Sequence, residues 1–346
     1  MDNPKNIRPG EALDWPSLET YMRNQMPALS GAMTVAQFHG GHANLTYLIK
    51  FGDTELVLRR PPFGKIAPGA HDMKREYRVL SKLYKHFPRS PRAYLFCDDT
   101  DIIGAPFVVV ERRTGIVVRY AVPEVFRTFD NIEERLTDAL VKAIGDLHLV
   151  NVDAAGLSNL GRPEGYLERQ LEGWYKRWEL SKTEDNSSMS ATYHILSGEV
   201  PRAQAVSIVH NDIKFDNCQF QPDNPDTVTS LFDWDMTTLG DPLADLGSTL
   251  SYWPEPLLAK YKNLPVVLKG AFPDKQYIKA KYAAYTGFDL SPMPWYEAFA
   301  YWKGAVIAQQ LYKRYIDGAT RDERMKSFGS SAKALAEMAF HIIKLM

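Results

Sequence analysis

The chain has 346 residues, 45% hydrophobic and 24% charged, the balance of a soluble globular protein with room for one large domain or two unequal lobes. A formal net charge of −1 supplies no global basic field for nucleic acid or an anionic membrane. Two cysteines, Cys97 and Cys218, are too few for a disulfide framework or a thiolate metal site and fit a reducing compartment.

Residues 1–16 lack the basic-then-apolar pattern of a signal peptide, and no run is long enough to span a bilayer, so a cytoplasmic location is expected. Residues 32–38 (AMTVAQF), 45–51 (LTYLIKF) and 54–60 (TELVLRR) are expected as antiparallel strands, with turns at Gly40-Gly41 and Gly52-Asp53. A helix follows from Asp72, a capping residue, to about residue 86, with Met73, Tyr77, Leu80 and Tyr84 on its apolar face. Strands at 93–97 and 106–112, split by the turn DDTD, complete a sheet with one helix inserted.

From about residue 120 the period becomes helical. Candidates are 131–150 (Leu136, Leu140, Ile144, Leu147) and 163–180 (Leu167, Leu171, Trp174, Trp178). Another carries Trp295, Phe299, Trp302 and Val306 and stops at Gly318, and a last one carries Leu335, Met338 and Ile342. Residues 181–190 read as a mobile polar loop. The strand-like segments CQFQ (218–221) and TVTSLFDWD (227–235) form a short hairpin. The expected architecture is therefore α+β and bilobal, with a small antiparallel β lobe with one helix over residues 1–111 and a larger, mostly helical lobe over 112–346.

The polar run HNDIKFDN (210–217) stands out against this background. Asp212 and Asn217 are five residues apart, and Asp233 lies sixteen further on at the end of an apolar strand. Phosphoryl transfer from ATP needs such a set: one carboxylate to take the proton of an attacking hydroxyl, then an amide oxygen and a second carboxylate to hold Mg²⁺. Oxygen ligands suit that hard cation, and no His or Cys cluster selects a softer one.

HNDIKFDN resembles the H-x-D-x-x-x-x-N catalytic loop of kinase-fold enzymes. LFDWDMTTLGDPLADLG is similar to the aspartate-bearing segment of the aminoglycoside phosphotransferase-like family. The likeness extends from about Phe38 to Trp253 through GGHANLTYLI, VLRRPP, REYRVL and GAPFVVVER. It is greatest to the phosphotransferase region that precedes the dehydrogenase part of some acyl-CoA dehydrogenase fusions.

The resemblance implies a protein-kinase-like fold, ATP and Mg²⁺ as cofactors, Asp212 as catalytic base, and Asn217 and Asp233 as metal ligands. Lys214 would neutralise charge on the transferring phosphoryl group. Where kinase-fold enzymes carry a strand lysine this chain has Arg59, with Glu76 as the expected helix partner and Arg60 as the competing candidate. Val57 would cover the adenine. Gly40 and Gly41 would let the hairpin backbone approach the phosphates, Asn44 would contact phosphate or ribose, and residues 111–115 would form the hinge.

Asp241 is expected to cap a helix begun by Pro242, and Asp245 to brace the catalytic loop. His148 and His210 are expected as structural anchors, and Cys218 as a core residue. Asn211 stands where the family usually has glycine.

Only twelve residues separate Asp233 from Asp245, too few for a peptide platform, so the expected partner is a small hydroxylated molecule, with neither nucleic acid nor membrane. The C-terminal half lacks the acidic cluster a polycationic aminoglycoside would need. The fusion likeness implies a hydroxyacyl thioester or related metabolite. An ATP-binding scaffold without catalysis and a Mg²⁺-dependent phosphohydrolase remain as alternatives.

Overall fold

A computed structural model describes residues 4–39, 44–64, 71–258, 270–320 and 322–346. Its first elements are α1 (Trp15–Gln25), β1 (Met33–Phe38), β2 (Leu45–Phe51), β3 (Thr54–Arg60), α2 (Met73–Leu83), β4 (Ala93–Cys97), α3 (Thr100–Ile103) and β5 (Phe107–Glu111). Then come α4 (Ile132–His148), α5 (Tyr166–Ser181), α6 (Ser187–Gly198), β6 (Ser207–Val209), β7 (Cys218–Gln221), β8 (Asn224–Leu231) and β9 (Thr238–Gly240). The chain ends with α7 (Pro242–Ser251), α8 (Lys275–Thr286), α9 (Met293–Ile316) and α10 (Phe328–Ile343). Five strands form one antiparallel sheet in the order β1-β2-β3-β5-β4, while β6-β9 and β7-β8 pair separately. The expected α+β class is the one observed.

Two compact units are present. The first comprises Met1–Val118, Val150–Leu160 and Phe215–Thr238. Strict alternation in β2 turns Leu45, Tyr47, Ile49 and Phe51 onto one buried face, against Leu18 and Met22 of α1 and Phe107 and Val109 of β5. Helix α1 is an addition to the single helix expected here. Asp14 caps it by accepting from Ser17 N at 3.0 Å, but Leu18 and Met22 are its only buried residues, too short an apolar stripe to read from sequence.

Asp72 caps α2 as expected, accepting from Arg75 N at 2.9 Å. The buried face of α2 is Met73, Glu76, Val79, Leu80 and Leu83, not the Met73–Tyr77–Leu80–Tyr84 stripe. Tyr77 sits at the margin, stacked on Phe96 with ring centroids 5.9 Å apart. The helical period thus carries a carboxylate, Glu76, into the interior.

The second unit comprises Arg119–Leu149, Gly161–Lys214 and Leu239–Met346. Helix α9 runs through it, burying Trp295, Tyr296, Phe299 and Trp302 against α5, α6, α7 and α10. In place of a mobile loop through residue 190, the chain starts α6 at Ser187. Asn186 accepts from Met189 N at 3.2 Å, and Met189, Thr192 and Leu196 face inward. The indoles of Trp302 and Trp295 donate to the carbonyls of Met189 (3.1 Å) and Leu196 (3.0 Å), tying α6 to α9. A Cβ at Gly247 of α7 would lie 2.8 Å from the Tyr296 carbonyl oxygen, so this glycine permits the close α7–α9 approach. Among the described residues no helix is long and apolar enough to cross a membrane.

Candidate active site

In the first unit, strand alternation decides between two neighbouring arginines. Arg60 turns into the core and donates to the carbonyls of Pro61 and Ile103, each at 3.0 Å, with its guanidinium 4.1 Å from the Phe63 ring centroid. Arg59 turns the other way. Its Nε lies 2.9 Å from Glu76 Oε1 and its Nη2 donates to Asp233 Oδ1 at 2.9 Å. Burial disfavours its charge, but Glu76, Asp233 and Asp235 outweigh that and hold the guanidinium ionised. Burial pushes the Glu76 carboxyl up to about 7 against the pull of Arg59.

The register of a hairpin places the two expected metal ligands together. Cys218 pairs with Leu231, and Phe232 N donates to the Asn217 carbonyl at 2.9 Å. Asn217 and Asp233 therefore flank the same end of β7-β8, one just before the first strand and the other just past the second. Asp233 adopts φ 71°, a left-handed conformation that aspartate tolerates better than most residues.

The following turn is anchored by Trp234, fully buried, whose Nε1 donates to the Leu231 carbonyl at 2.7 Å. Arg75 of α2 donates to the Thr237 carbonyl at 3.0 Å, linking the Glu76 helix to the Asp233 turn. Among the described residues no group of three His, Cys, Asp or Glu side chains could hold a metal. The donor set is an amide oxygen plus one carboxylate, which fits Mg²⁺, a cation that binds through one or two carboxylates and substrate phosphates.

Gly40 and Gly41 lie outside the described residues. Asn44, just before β2, is 7% exposed, and among the described residues neither its Oδ1 nor its Nδ2 has a hydrogen-bond partner. A buried amide left so is an orphan awaiting a polar group. Beyond β5, Ile116 and Phe220 exchange backbone hydrogen bonds of 2.8 Å, which ties the expected hinge to β7. Cys218 is fully buried with its thiol pKa raised by desolvation, an unreactive core residue.

In the second unit the loop after β6 hangs on one buried carboxylate. Asp245 Oδ2 accepts from His210 N at 2.6 Å and Oδ1 from Asn211 N at 2.5 Å. His148 Nε2 lies 3.2 Å from the same carboxylate, and its Nδ1 bonds the Tyr282 hydroxyl at 2.7 Å. Burial alone would raise the Asp245 pKa. The bond and charge of His148, the charge of His210 and the His210 N–H bring it below the ordinary value. Thr249 of α7 donates to the Ile213 carbonyl at 2.9 Å, a second tie on the loop. Asp241 caps α7 by accepting from Leu243 N at 2.9 Å, and Tyr296 donates to its other oxygen at 2.6 Å.

Asn211 has φ 71°, which explains why a glycine suits this position and why asparagine can replace it. Its side-chain Oδ1 also accepts from the Tyr166 hydroxyl at 2.9 Å, a contact glycine could not make.

Asp212 is held from both sides. Lys214 Nζ donates to its Oδ2 at 2.8 Å, and the Tyr252 hydroxyl donates to Oδ1 at 2.6 Å. Tyr252 was not a sequence candidate. It is forty residues from Asp212, at the end of α7, and no spacing rule links the two. Asp235, whose charge reaches Arg59, was likewise not singled out.

The profile of the phosphotransferase enzyme family (APH) matches residues 34–265, two-thirds of the chain. The chain belongs to this family. Mouse acyl-CoA dehydrogenase family member 10 is 30% identical over 346 residues, covering 98% of this chain and 32% of that protein. The chain thus spans about a third of that relative's length. A Ralstonia eutropha JMP134 crystal structure described as a candidate aminoglycoside phosphotransferase is 28% identical, with a TM-score of 0.82 over 96% of this chain and 99% of that one. The GDP and kanamycin complex of APH(2")-IIIa, 16% identical, shares the fold with a TM-score of 0.63, covering 92% of this chain and 98% of that one. Both the family and the kinase-like fold expected from HNDIKFDN and LFDWDMTTLGDPLADLG are therefore those observed.

Proposed function

We propose that this member of the phosphotransferase enzyme family transfers the γ-phosphoryl group of ATP, with Mg²⁺, to a hydroxyl of a small molecule. The hairpin register that sets Asn217 beside Asp233 carries this reading, because it aligns an amide and a carboxylate in a chain that also presents Arg59 on the same carboxylate. A nucleotide is known on one fold neighbour, as GDP, which supports a nucleotide donor here.

Arg59 takes the phosphate-gripping part usually given to lysine. Its planar fork reaches two acids at once and suits phosphate oxygens equally well. Glu76 fixes the direction of that fork. Asn44 would add to the nucleotide side, its amide offering both a donor and an acceptor, and the sequence assigns Gly40 and Gly41 the same task. Asn217 and Asp233 would hold Mg²⁺, which when bound neutralises phosphate charge and orients the transferred group.

Asp212 is the base. The Tyr252 hydroxyl donates to Oδ1, and an acceptor hydroxyl would make the same kind of bond before giving up its proton there. Lys214 on Oδ2 fixes the carboxylate's orientation and supplies positive charge for the transition state. Together these contacts orient a proton acceptor.

The test combines binding with turnover. Mg·ATP should raise the melting temperature of the wild-type chain, and a library of hydroxylated metabolites should contain compounds that accelerate ATP consumption, with Asp233→Ala as the blank. Asp212→Asn should keep the thermal shift and lose about 10²–10⁴-fold in turnover. Undiminished turnover in that variant would remove Asp212 as the base.

A further inference from the structure

In the second unit two cations meet over one indole. Arg177 of α5 sets its guanidinium carbon 4.3 Å from the Trp174 ring centroid, and Lys303 of α9 sets its ammonium 5.3 Å from the same centroid. The ring is held by its own Nε1, which donates to Gln170 Oε1 at 3.3 Å. Among the described residues neither cation has a hydrogen-bond or ion-pair partner.

Lys303 is half-buried. Desolvation lowers its pKa, the charges of Asp212 and Asp245 oppose that, and Arg177 adds to the lowering. Arg177 is exposed, whereas Lys303 is an ammonium with three donors, partly out of water and within electrostatic reach of a second cation, an unfavourable arrangement unless something completes it. Attraction to the Trp174 face offsets only part of this. A bound anion would complete Lys303 and draw on the exposed Arg177 beside the same ring. The charge of Asp212 also acts on Lys303, so the cluster is within electrostatic reach of the expected base.

Resting on the phosphotransferase reading, we infer that the acceptor is a hydroxylated anion whose carboxylate or phosphate binds between Lys303 and Arg177 over Trp174. The same pair repels polycations, so an aminoglycoside is the wrong substrate class for this chain. Lys303 and Arg177 act in recognition and not in proton transfer, and Trp174 is the platform that keeps the two cations in place.

Glycerate, glycerol 3-phosphate and glycerol share a hydroxylated skeleton and differ in charge, so they separate the two anion sources from a neutral control. In thermal-shift titrations of the full chain, at least one of the two anions should stabilise the protein where glycerol does not. A response to glycerate alone assigns a carboxylate, and to glycerol 3-phosphate alone a phosphate. Lys303→Met should raise the midpoint at least about tenfold, and Lys303→Arg should recover most of it.

If neither anion exceeds glycerol, or Lys303→Met leaves the midpoint unchanged, the anion subsite is wrong. ATP consumption on the library separates this from the parent reading. Anion binding that depends on Lys303 without any ATP consumption overturns the phosphotransferase reading alone. ATP consumption on neutral or cationic compounds that is indifferent to Lys303→Met overturns the subsite alone.

Discussion

Asn211 shows how one backbone angle decides whether a sequence departure matters. A β-branched residue would be strained at φ 71°, whereas asparagine enters the left-handed region readily and gains the Tyr166 bond besides. The neighbouring Asp245 has the opposite character, a buried charge sustained by bonds. Its pKa is lowered in the folded chain from an ordinary 3.8, so the native state gives up this proton more readily than the unfolded state. The stabilisation is thus fully present above the ordinary aspartate range and is lost as the pH falls through the lowered value. Asp245→Asn should cost about 3–5 kcal/mol at neutral pH, since it leaves the His148 and loop donors without their charged partner. The gap in melting temperature between the two proteins should narrow as the pH drops below that range. Parallel curves across the acid range would show that Asp245 is not the brace.

At the scale of elements, what the sequence reveals depends on how much apolar surface each element buries. Helix α4, with Leu136, Leu140, Ile144 and Leu147 all inside, announces its period plainly. Helix α8 buries only Ile278 and Tyr282, and α6 begins in a serine-rich stretch, so neither shows a stripe that survives without its neighbours. The hairpin was legible because alternation in residues 218–231 and the spacing of Asn217 and Asp233 are local. Tyr252 and the Lys303–Trp174–Arg177 cluster were not, because Tyr252 meets a loop forty residues away and the cluster arises where α5 and α9 pack together.

The α7–α9 contact tests that packing. Gly247→Ala would push a methyl against the Tyr296 carbonyl and should destabilise by about 1–3 kcal/mol in urea unfolding. Gly173→Ala on α5, where nothing lies within 4 Å of the added carbon, should be neutral or stabilising by up to about 1 kcal/mol. Equal effects at the two sites would mean that α7 and α9 are not in close contact.

Across the whole molecule, each unit carries its own part of the proposed chemistry. The first holds Arg59, Glu76, Asn217 and Asp233, together with Asn44 just before β2, the residues proposed for phosphates and a hard cation. The second holds Asp212, Lys214, Tyr252 and the Lys303–Arg177 pair, the residues proposed for a hydroxyl on an anionic molecule. Along the chain the motif HNDIKFDN passes from one unit to the other after Lys214, so one short stretch contributes the proposed base to one set and a proposed metal ligand to the other. That division also explains why the motif reads so clearly in sequence while the acceptor specificity does not.

Phosphorus NMR of the wild-type chain with Mg·ATP and a mixture of hydroxylated carboxylates and phosphates follows the transferred group itself. A new phosphate monoester resonance should grow with ADP in the wild type and be absent with Asp212→Asn and Asp233→Ala. Inorganic phosphate as the sole product would instead mark a phosphohydrolase, and an ester formed equally by Asp212→Asn would strike out the base on which the proposed reaction depends.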